Sequence, residues 1–273
     1  VGMHKWIMSF DLNSLYPHLI MQYNISPETL VNSGDGIVEG MVDKILEGKT
    51  QNKTKHCMTP NGAFFRKDIK GFLPQLMENM YNDRVKYKKL TLEARQKFED
   101  TGDKNLLKVI SRYNNIQMAK KISLNSAYGA IGNNWFRYYD LMVATAITTS
   151  GQLSIRWIEK SINIYLNKIL KTKGIDYIVA SDTDSVYITF DKLVDQLFDE
   201  GTETSKIVAF LDRLAKEKLE PFIENSYKAL AQTMNAYAQK MEMGREAIAD
   251  KGIWTAKKRY ILNVHDMEGV KYK

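Results

Sequence analysis

Tyr177-Ile-Val-Ala-Ser-Asp-Thr-Asp-Ser-Val-Tyr-Ile-Thr-Phe190 is the stretch on which the fold turns. Two β-prone runs, Tyr177–Ala180 and Val186–Phe190, flank the short polar segment Ser181–Ser185, which predicts a β-hairpin with acidic residues at its tip. Upstream, Trp6–Phe10 is apolar and β-prone, and Asp11 ends that strand. Asn13 and Ser14 follow as caps for a turn or short helix through Gln22. Long helical patterns separate these strands. Leu76–Phe98 and Leu106–Ser126 are periodic and broken by Glu99–Asp103, so they predict an antiparallel helical hairpin closed by Gly129 and Gly132. Leu141–Leu170 predicts another long helix, and Lys206–Lys240 a helix kinked or divided at Pro221. Arg259–Val264 reads as a further strand. Residues 33–62 are rich in loop signals, with Gly34, Gly36, Gly40, Gly48, Pro60 and Gly62, around one helical stretch at Met41–Leu46. Strands separated by long helices, with a hairpin among them, favour an α+β fold around an antiparallel sheet.

The composition of the 273 residues is that of a chain with a real core, 44% hydrophobic and 26% charged. The formal charge of +7 suits a polyanionic partner without demanding one. Cys57 is the only cysteine, which excludes an internal disulfide framework and a multi-cysteine zinc site. It fits a reducing, cytoplasmic setting. No apolar run reaches the ~18 residues of a membrane span. Val1–Trp6 lacks the apolar core of a signal peptide, and both ends read as cut from a longer chain.

Asp11, Asp182 and Asp184 all sit at strand edges, where a rigid sheet holds side chains better than a loop does. Hard oxygen ligands so placed suit Mg²⁺, which takes a few carboxylates plus substrate phosphates. Two such ions ~3.5–4 Å apart can activate an attacking hydroxyl and stabilise a leaving oxygen. An isolated D-T-D-S turn is more often a solvated hairpin tip, and that reading stays open for this segment alone. A calcium loop fits poorly, because Val186 and Tyr187 fall where it wants an oxygen ligand and a glycine.

Arg84 and Lys88 are four apart and share one helix face; Lys121, Asn125 and Tyr128 share another. Facing each other on two arms of one hairpin, they would offer cations to a triphosphate, with Asn125 and Tyr128 further along towards a sugar and base. A solvated charged face is the alternative for either pattern alone.

Together these residues are recognisable. Asp11-Leu-Asn-Ser-Leu-Tyr-Pro17 resembles motif A of the family B (polymerase alpha-like) DNA polymerases, D-x-x-S-L-Y-P. Lys121-Ile-Ser-Leu-Asn-Ser-Ala-Tyr-Gly129 resembles motif B, Ser181-Asp-Thr-Asp-Ser185 motif C, and Lys257-Lys-Arg-Tyr260 the downstream K-K-R-Y element. Four motifs in the family order are very specific. Asn24–Thr29, Trp135–Asp140 and Asn263–Gly269 resemble the replicative polymerases of T-even-type bacteriophages.

The resemblance implies a ferredoxin-like palm interrupted by helical fingers: 1–70 palm with motif A, 71–133 fingers with motif B, and 134–273 palm with motif C and the K-K-R-Y element. It implies template-directed DNA synthesis in replication, with two Mg²⁺ ions (or Mn²⁺), dNTPs and primer–template DNA. Asp11 and Asp184 resemble the direct metal ligands, Asp182 the neighbouring acid, and Glu246 a further acid near the metals. Arg84, Lys88 and Lys121 match triphosphate-binding positions, and the backbone amides of Leu12, Asn13, Ser14 and Leu15 would cradle the β and γ phosphates. Tyr16 matches the residue that packs under the deoxyribose, and Pro17 should hold its backbone out of the α region. Asn125 and Tyr128 match positions beside the nascent base pair, Lys258 and Tyr260 positions contacting primer–template. The expected exonuclease and thumb regions are absent from this sequence, and a companion region and a sliding clamp are expected partners in a cytoplasm, the host's if the source is viral. A non-catalytic primer–template or single-strand DNA-binding module is the alternative. The chain departs from the pattern at His18, Ser181 and Gly244, which stand in place of Ser, Gly and an acid, and its helical hairpin is shorter than in the T-even enzymes.

Overall fold

The computed structural model describes residues 1–32, 38 and 40–271. Gly34 and Gly36, read above as loop signals, lie outside the described residues. The chain is α+β. Its main sheet has six antiparallel strands in the order β5-β6-β1-β7-β8-β9. These are β1 (Gly2–Leu12), β5 (Ile178–Ser181), β6 (Ser185–Thr189), β7 (Met243–Ala256), β8 (Arg259–Met267) and β9 (Val270–Lys271). A second sheet, β2-β4-β3, joins the short strands β2 (Leu30–Asn32), β3 (Cys57–Met58) and β4 (Phe64–Phe65).

The central strand β1 alternates as a half-buried strand must. Met8, Phe10 and Leu12 point into the main core with Leu19, Ile147, Ile158 and Tyr227, whereas Ile7 belongs to a small separate cluster with Tyr187 and Trp254. Two helices cover the core face: α5 (Leu141–Ile169) and α8 (Glu220–Thr233). The path β1, α5, β5, β6, α8, β7 with strand order β5-β6-β1-β7 is the split β-α-β arrangement of ferredoxin-like sheets. Helix α5 starts sharply because Asp140 accepts hydrogen bonds from the amides of Met142 (2.8 Å) and Val143 (3.1 Å).

The expected helical hairpin is present as α3 (Phe72–Thr101) and α4 (Asn105–Ile131). Gly102 supplies the left-handed turn between them, φ 67°. Lys120 on α4 pairs with Asp83 on α3 at 2.8 Å. Few of its side chains are buried, and these include Leu73, Met77 and Leu124. Gly129 does not end α4; the helix runs through it to Ile131, and Gly132 closes it. Helix α1 (Leu15–Tyr23) packs between sheet, hairpin and α5, while α2 (Met41–Leu46) lies against α5 through Arg156 and Asp43 at 2.6 Å.

Two expectations were too simple. The helix expected over Lys206–Lys240, kinked or divided at Pro221, is divided instead by a π-helical turn at Ala215–Leu219 into α7 (Thr204–Leu214) and α8, which ends at Thr233. Pro221 follows that turn directly, in the first turn of α8, and removes one backbone donor where the hydrogen-bond register changes. Strand β7, the longest in the sheet, has no counterpart among the strands read from the sequence. Its polar residues Arg245, Glu246, Asp250 and Lys251 mask the alternation, and Arg245 is buried only because Asp212 on α7 and Asp266 on β8 neutralise it. Helix α6 (Asp191–Leu197) links β6 to α7. Among the described residues, no helix is long and apolar enough to cross a membrane.

Candidate active site

Antiparallel pairing of β1 with β6 sets Asp11 opposite Ser185, so the end of the first strand meets the turn of the acidic hairpin. The amide of Leu12 then donates to the carbonyl of Asp184 at 2.8 Å. Residues 173 positions apart in sequence are thereby held side by side at the mouth of a cleft of about 550 Å³. Asp11, Thr183 and Asp184 line one wall with Glu268; Leu12–Pro17 form the floor; Arg84, Lys88, Lys121 and Asn125 come from the two hairpin arms. The cleft is polar and is lined by both carboxylates and cations.

Charge crowding is visible in the acids. Burial pushes the Asp11 carboxyl up from 3.8 to about 6, and the nearby Asp184, Glu246 and Glu268 carboxylates push in the same direction. Asp184 is also raised, chiefly by burial. Asp182 behaves differently. Burial would raise it, but the Thr183 amide and the Lys258 ammonium outweigh that and hold it below the usual range. It lies in a neighbouring hollow with Lys258, 3.5 Å from its Nζ. Glu246 accepts a hydrogen bond from Ser9 Oγ at 3.1 Å and does not line the cleft. The four acids read as metal ligands therefore do not converge: among the described residues, no three His, Cys, Asp or Glu side chains are grouped tightly enough to hold an ion. Two carboxylates that repel each other fit a hard divalent cation that draws its other oxygens from water and phosphate, which is the Mg²⁺ pattern.

The floor qualifies a second expectation. The amides of Leu12 and Asn13 are already used, by the carbonyls of Asp184 (2.8 Å) and Glu242 (3.0 Å). At the start of α1 the amides of Leu15 and Tyr16 have no intrahelical acceptor and form the positive end of the helix dipole; Pro17 has no N–H, and the His18 amide donates to the Ser14 carbonyl at 3.2 Å. Ser14 occupies the left-handed region, φ 46°, makes no cap with its side chain, and instead accepts from Arg84 Nη1 at 3.1 Å. That bond ties hairpin helix α3 to the strand carrying Asp11.

Tyr16 is helical, contrary to the restriction read from Pro17. The proline falls in the first turn of α1, where its ring meets no earlier helical carbonyl, and the helix overrides the local preference. The Tyr16 ring lies 4.8 Å from that of Tyr128 and is half-buried beside Gly151. His18 is buried, donates from Nδ1 to the Ser14 carbonyl at 2.9 Å and meets the Tyr81 ring edge-on at 4.5 Å, so the larger side chain packs α1 against α3. Gly244 pairs with Asp11 across β1 and β7 and offers no carboxylate there. Lys258 and Tyr260 lie on the β7–β8 hairpin outside the cleft.

Thr183 and Glu268 line the cleft without having been singled out from sequence. Glu268-Gly269 between two β-prone runs is a hairpin-turn signal that would have put this acid at a strand tip.

The comparisons agree with the geometry. The model of the family described as DNA polymerase family B matches residues 2–230. The DNA-directed DNA polymerase of Escherichia phage RB69 is 36% identical over 319 residues, covering 98% of this chain and 35% of that protein. That of Enterobacteria phage T4 is 36% identical with the same coverage, and "DNA polymerase beta" of African swine fever virus (strain Badajoz 1971 Vero-adapted) is 28% identical over 92% of this chain and 21% of its own length. The chain thus spans about a third of the length of the phage relatives it matches. With motifs A, B and C meeting at one cleft and the match running over most of its residues, this chain belongs to DNA polymerase family B.

Proposed function

We propose that this chain is the polymerising core of a DNA-directed DNA polymerase, with residues 1–70 and 134–273 as palm and 71–133 as fingers. The observation that carries this reading is the single cleft in which Asp11 and Asp184 face Arg84, Lys88, Lys121 and Asn125. A triphosphate needs cations along its length and oxygen-ligated metal at its reacting phosphorus, and this cleft is lined by both cations and carboxylates.

The primer 3′-oxygen attacks the α-phosphorus of a dNTP. The new O–P bond forms as the bond to the bridging oxygen of the β-phosphate breaks, the hydroxyl proton passes to solvent, and pyrophosphate leaves. Mg²⁺, held by Asp11 and Asp184, would supply Lewis-acid activation of the hydroxyl and charge stabilisation at the phosphates. Lys121, Lys88 and Arg84 bind the β and γ phosphates and neutralise the charge that builds on the leaving group. The amides that open α1 add partial positive charge on the same side. Tyr16 and Tyr128 form an aromatic platform beside the sugar and base.

Single-nucleotide incorporation on a primed template at high protein concentration tests this. The chain should add the templated dNMP with Mg²⁺ present, and Asp11→Ala or Asp184→Ala should abolish addition while primer–template binding largely persists. DNA binding without any templated addition would leave a binding module as the function.

A further inference from the structure

Ser14 and Arg84 both line the cleft, and a second pair of residues braces the bond between them. Ser14 Oγ accepts from Arg84 Nη1 at 3.1 Å. His18 lies four residues beyond Ser14, on α1, and Tyr81 three residues before Arg84, on α3. His18 is 4% exposed and meets the Tyr81 ring edge-on, centroids 4.5 Å apart and 85° between planes. Spacings of three and four make each pair neighbours on one helix face. The four residues therefore close a ring across the contact between α1 and α3. Ser14 meets Arg84 by a hydrogen bond, Arg84 follows Tyr81 along α3, Tyr81 packs on His18, and His18 bonds back to Ser14.

The link back to Ser14 is what aims the serine. Its carbonyl accepts twice from His18, from the amide at 3.2 Å and from Nδ1 at 2.9 Å. A carbonyl only accepts, so Nδ1 carries the proton. Ser14 needs this hold, because it sits in the left-handed region, φ 46° and ψ 58°, which costs a non-glycine residue free energy. Burial holds the His18 imidazole below its ordinary 6.5; Lys240 and Arg84 push the same way, against the Ser14 carbonyl and Glu242. The ring is neutral at pH 7 and adds no charge beside the guanidinium. Among the described residues Arg84 makes no other side-chain hydrogen bond, and its Nε–H is buried without an acceptor. An arginine left to itself spreads over many rotamers, and ordering it on a ligand costs free energy. The Ser14 hydroxyl limits that spread.

We propose that His18 is a positioning residue for the nucleotide triphosphate: through the Ser14 carbonyl and the Tyr81 ring it presets Arg84 for the phosphates bound in the cleft. The proposal rests on the polymerase reading of the cleft. It is particular to this chain, because His18 stands where the motif usually has serine. A serine there could still bond the Ser14 carbonyl one turn back, but it is too short to reach Tyr81. The histidine does both with one side chain. Helix α3, which carries Arg84, is thereby referred to the same residue that fixes the floor of the cleft.

Calorimetric titration of the chain with dNTP and Mg²⁺ tests this, with single-turnover incorporation on a primed template alongside. His18→Phe keeps a ring against Tyr81 and deletes the Nδ1 bond. It should weaken dNTP binding about 3- to 10-fold, the effect of one lost hydrogen bond, and change the rate at saturating dNTP less than about twofold. His18→Asn, whose amide can replace the Nδ1–H donor, should bind dNTP more tightly than His18→Phe. The effect runs through Arg84, so His18→Phe should weaken binding no further in an Arg84→Ala background. In a Lys121→Ala background it should keep its full factor. Tyr81→Leu is the second variant should His18→Phe fail to fold, and its loss should likewise vanish without the Arg84 side chain. An equal factor with and without Arg84, or unchanged dNTP affinity in the folded variants, overturns the proposal and leaves His18 as packing. If Arg84→Ala alone leaves dNTP binding unchanged, or the unmodified chain binds no dNTP, the reading of the cleft falls first, and the proposal with it.

Discussion

The amide of Leu12 donates to the carbonyl of Asp184 at 2.8 Å, and this one backbone bond sets the geometry of the cleft. It lies one residue beyond Asp11, so the two acids are fixed relative to each other by sheet pairing and not by side-chain packing. Their mutual repulsion is accordingly built in, and substitution of either side chain leaves the scaffold standing.

Metal-free stability should therefore depend on pH through Asp11. Its folded-state value of about 6 lies above the ordinary 3.8, so the protonated form is favoured by folding. The contribution is present in full below about pH 3.8 and is lost as pH rises through 6. Asp11→Asn should stabilise the metal-free chain at pH 7 by on the order of 1 kcal/mol, less than an unscreened shift of this size would give because the group is half-exposed. Thermal melts at pH 4 and pH 7 in EDTA check it: the gain should vanish at pH 4. A gain that is equal at both values would remove charge repulsion as its cause.

Lys121 is exposed on α4 and lines the cleft beside Arg84 and Lys88, with no acid paired to it among the described residues. Its neighbour Lys120 is the one engaged by Asp83. Lys121→Ala should raise the dNTP concentration for half-maximal incorporation about tenfold or more, the cost of losing a charge-assisted contact to phosphate. Lys120→Ala should instead loosen the hairpin with a much smaller effect on dNTP use. Single-turnover incorporation over a dNTP series separates the two, and equal behaviour of both variants would contradict the assignment.

Tyr16 packs its ring against Tyr128 and beside Gly151, and its hydroxyl makes no hydrogen bond among the described residues. In the proposed reading, where Tyr16 walls the deoxyribose, it works through its ring. Tyr16→Ala should raise ribonucleotide incorporation sharply, and Tyr16→Phe should barely change it, because a close-packed wall yields little. Were Tyr16 a core residue only, Tyr16→Ala would cost about 3–5 kcal/mol of stability with sugar selectivity intact. Competition between dNTP and NTP on one template, with a melt of the same sample, tells these apart.

Arg245 and Asp266 are both 3% exposed and paired, and Arg245 also reaches Asp212 at 2.6 Å. Removing one member leaves a buried charge without its partner. Arg245→Ala should destabilise by about 3–5 kcal/mol, whereas exposed pairs such as Lys228 and Glu224 should contribute under about 1 kcal/mol. Denaturant melts measure both; a loss below 1 kcal/mol at Arg245 would mean that water reaches the pair.

Sequence alone determined what depends on near neighbours and residue type. The short apolar, β-prone runs around Asp11 and Asp184 made β1, β5 and β6 legible, and the helical spacing of Arg84 with Lys88 and of Lys121 with Asn125 put each set on one face. The four ordered motifs made the family legible. Tertiary structure decided what depends on partners far along the chain. Strand β7 exists because Asp212 and Asp266 neutralise an arginine that argued against a strand. Tyr16 is helical because α1 forms against the hairpin and α5, where packing outweighs the local preference before a proline. Asp182 and Asp184, two residues apart in one turn, part company because pairing with β1 turns Asp184 into the cleft while Lys258, arriving from β7–β8, takes Asp182. A local pattern records which groups are available; only the folded chain brings each its opposite charge.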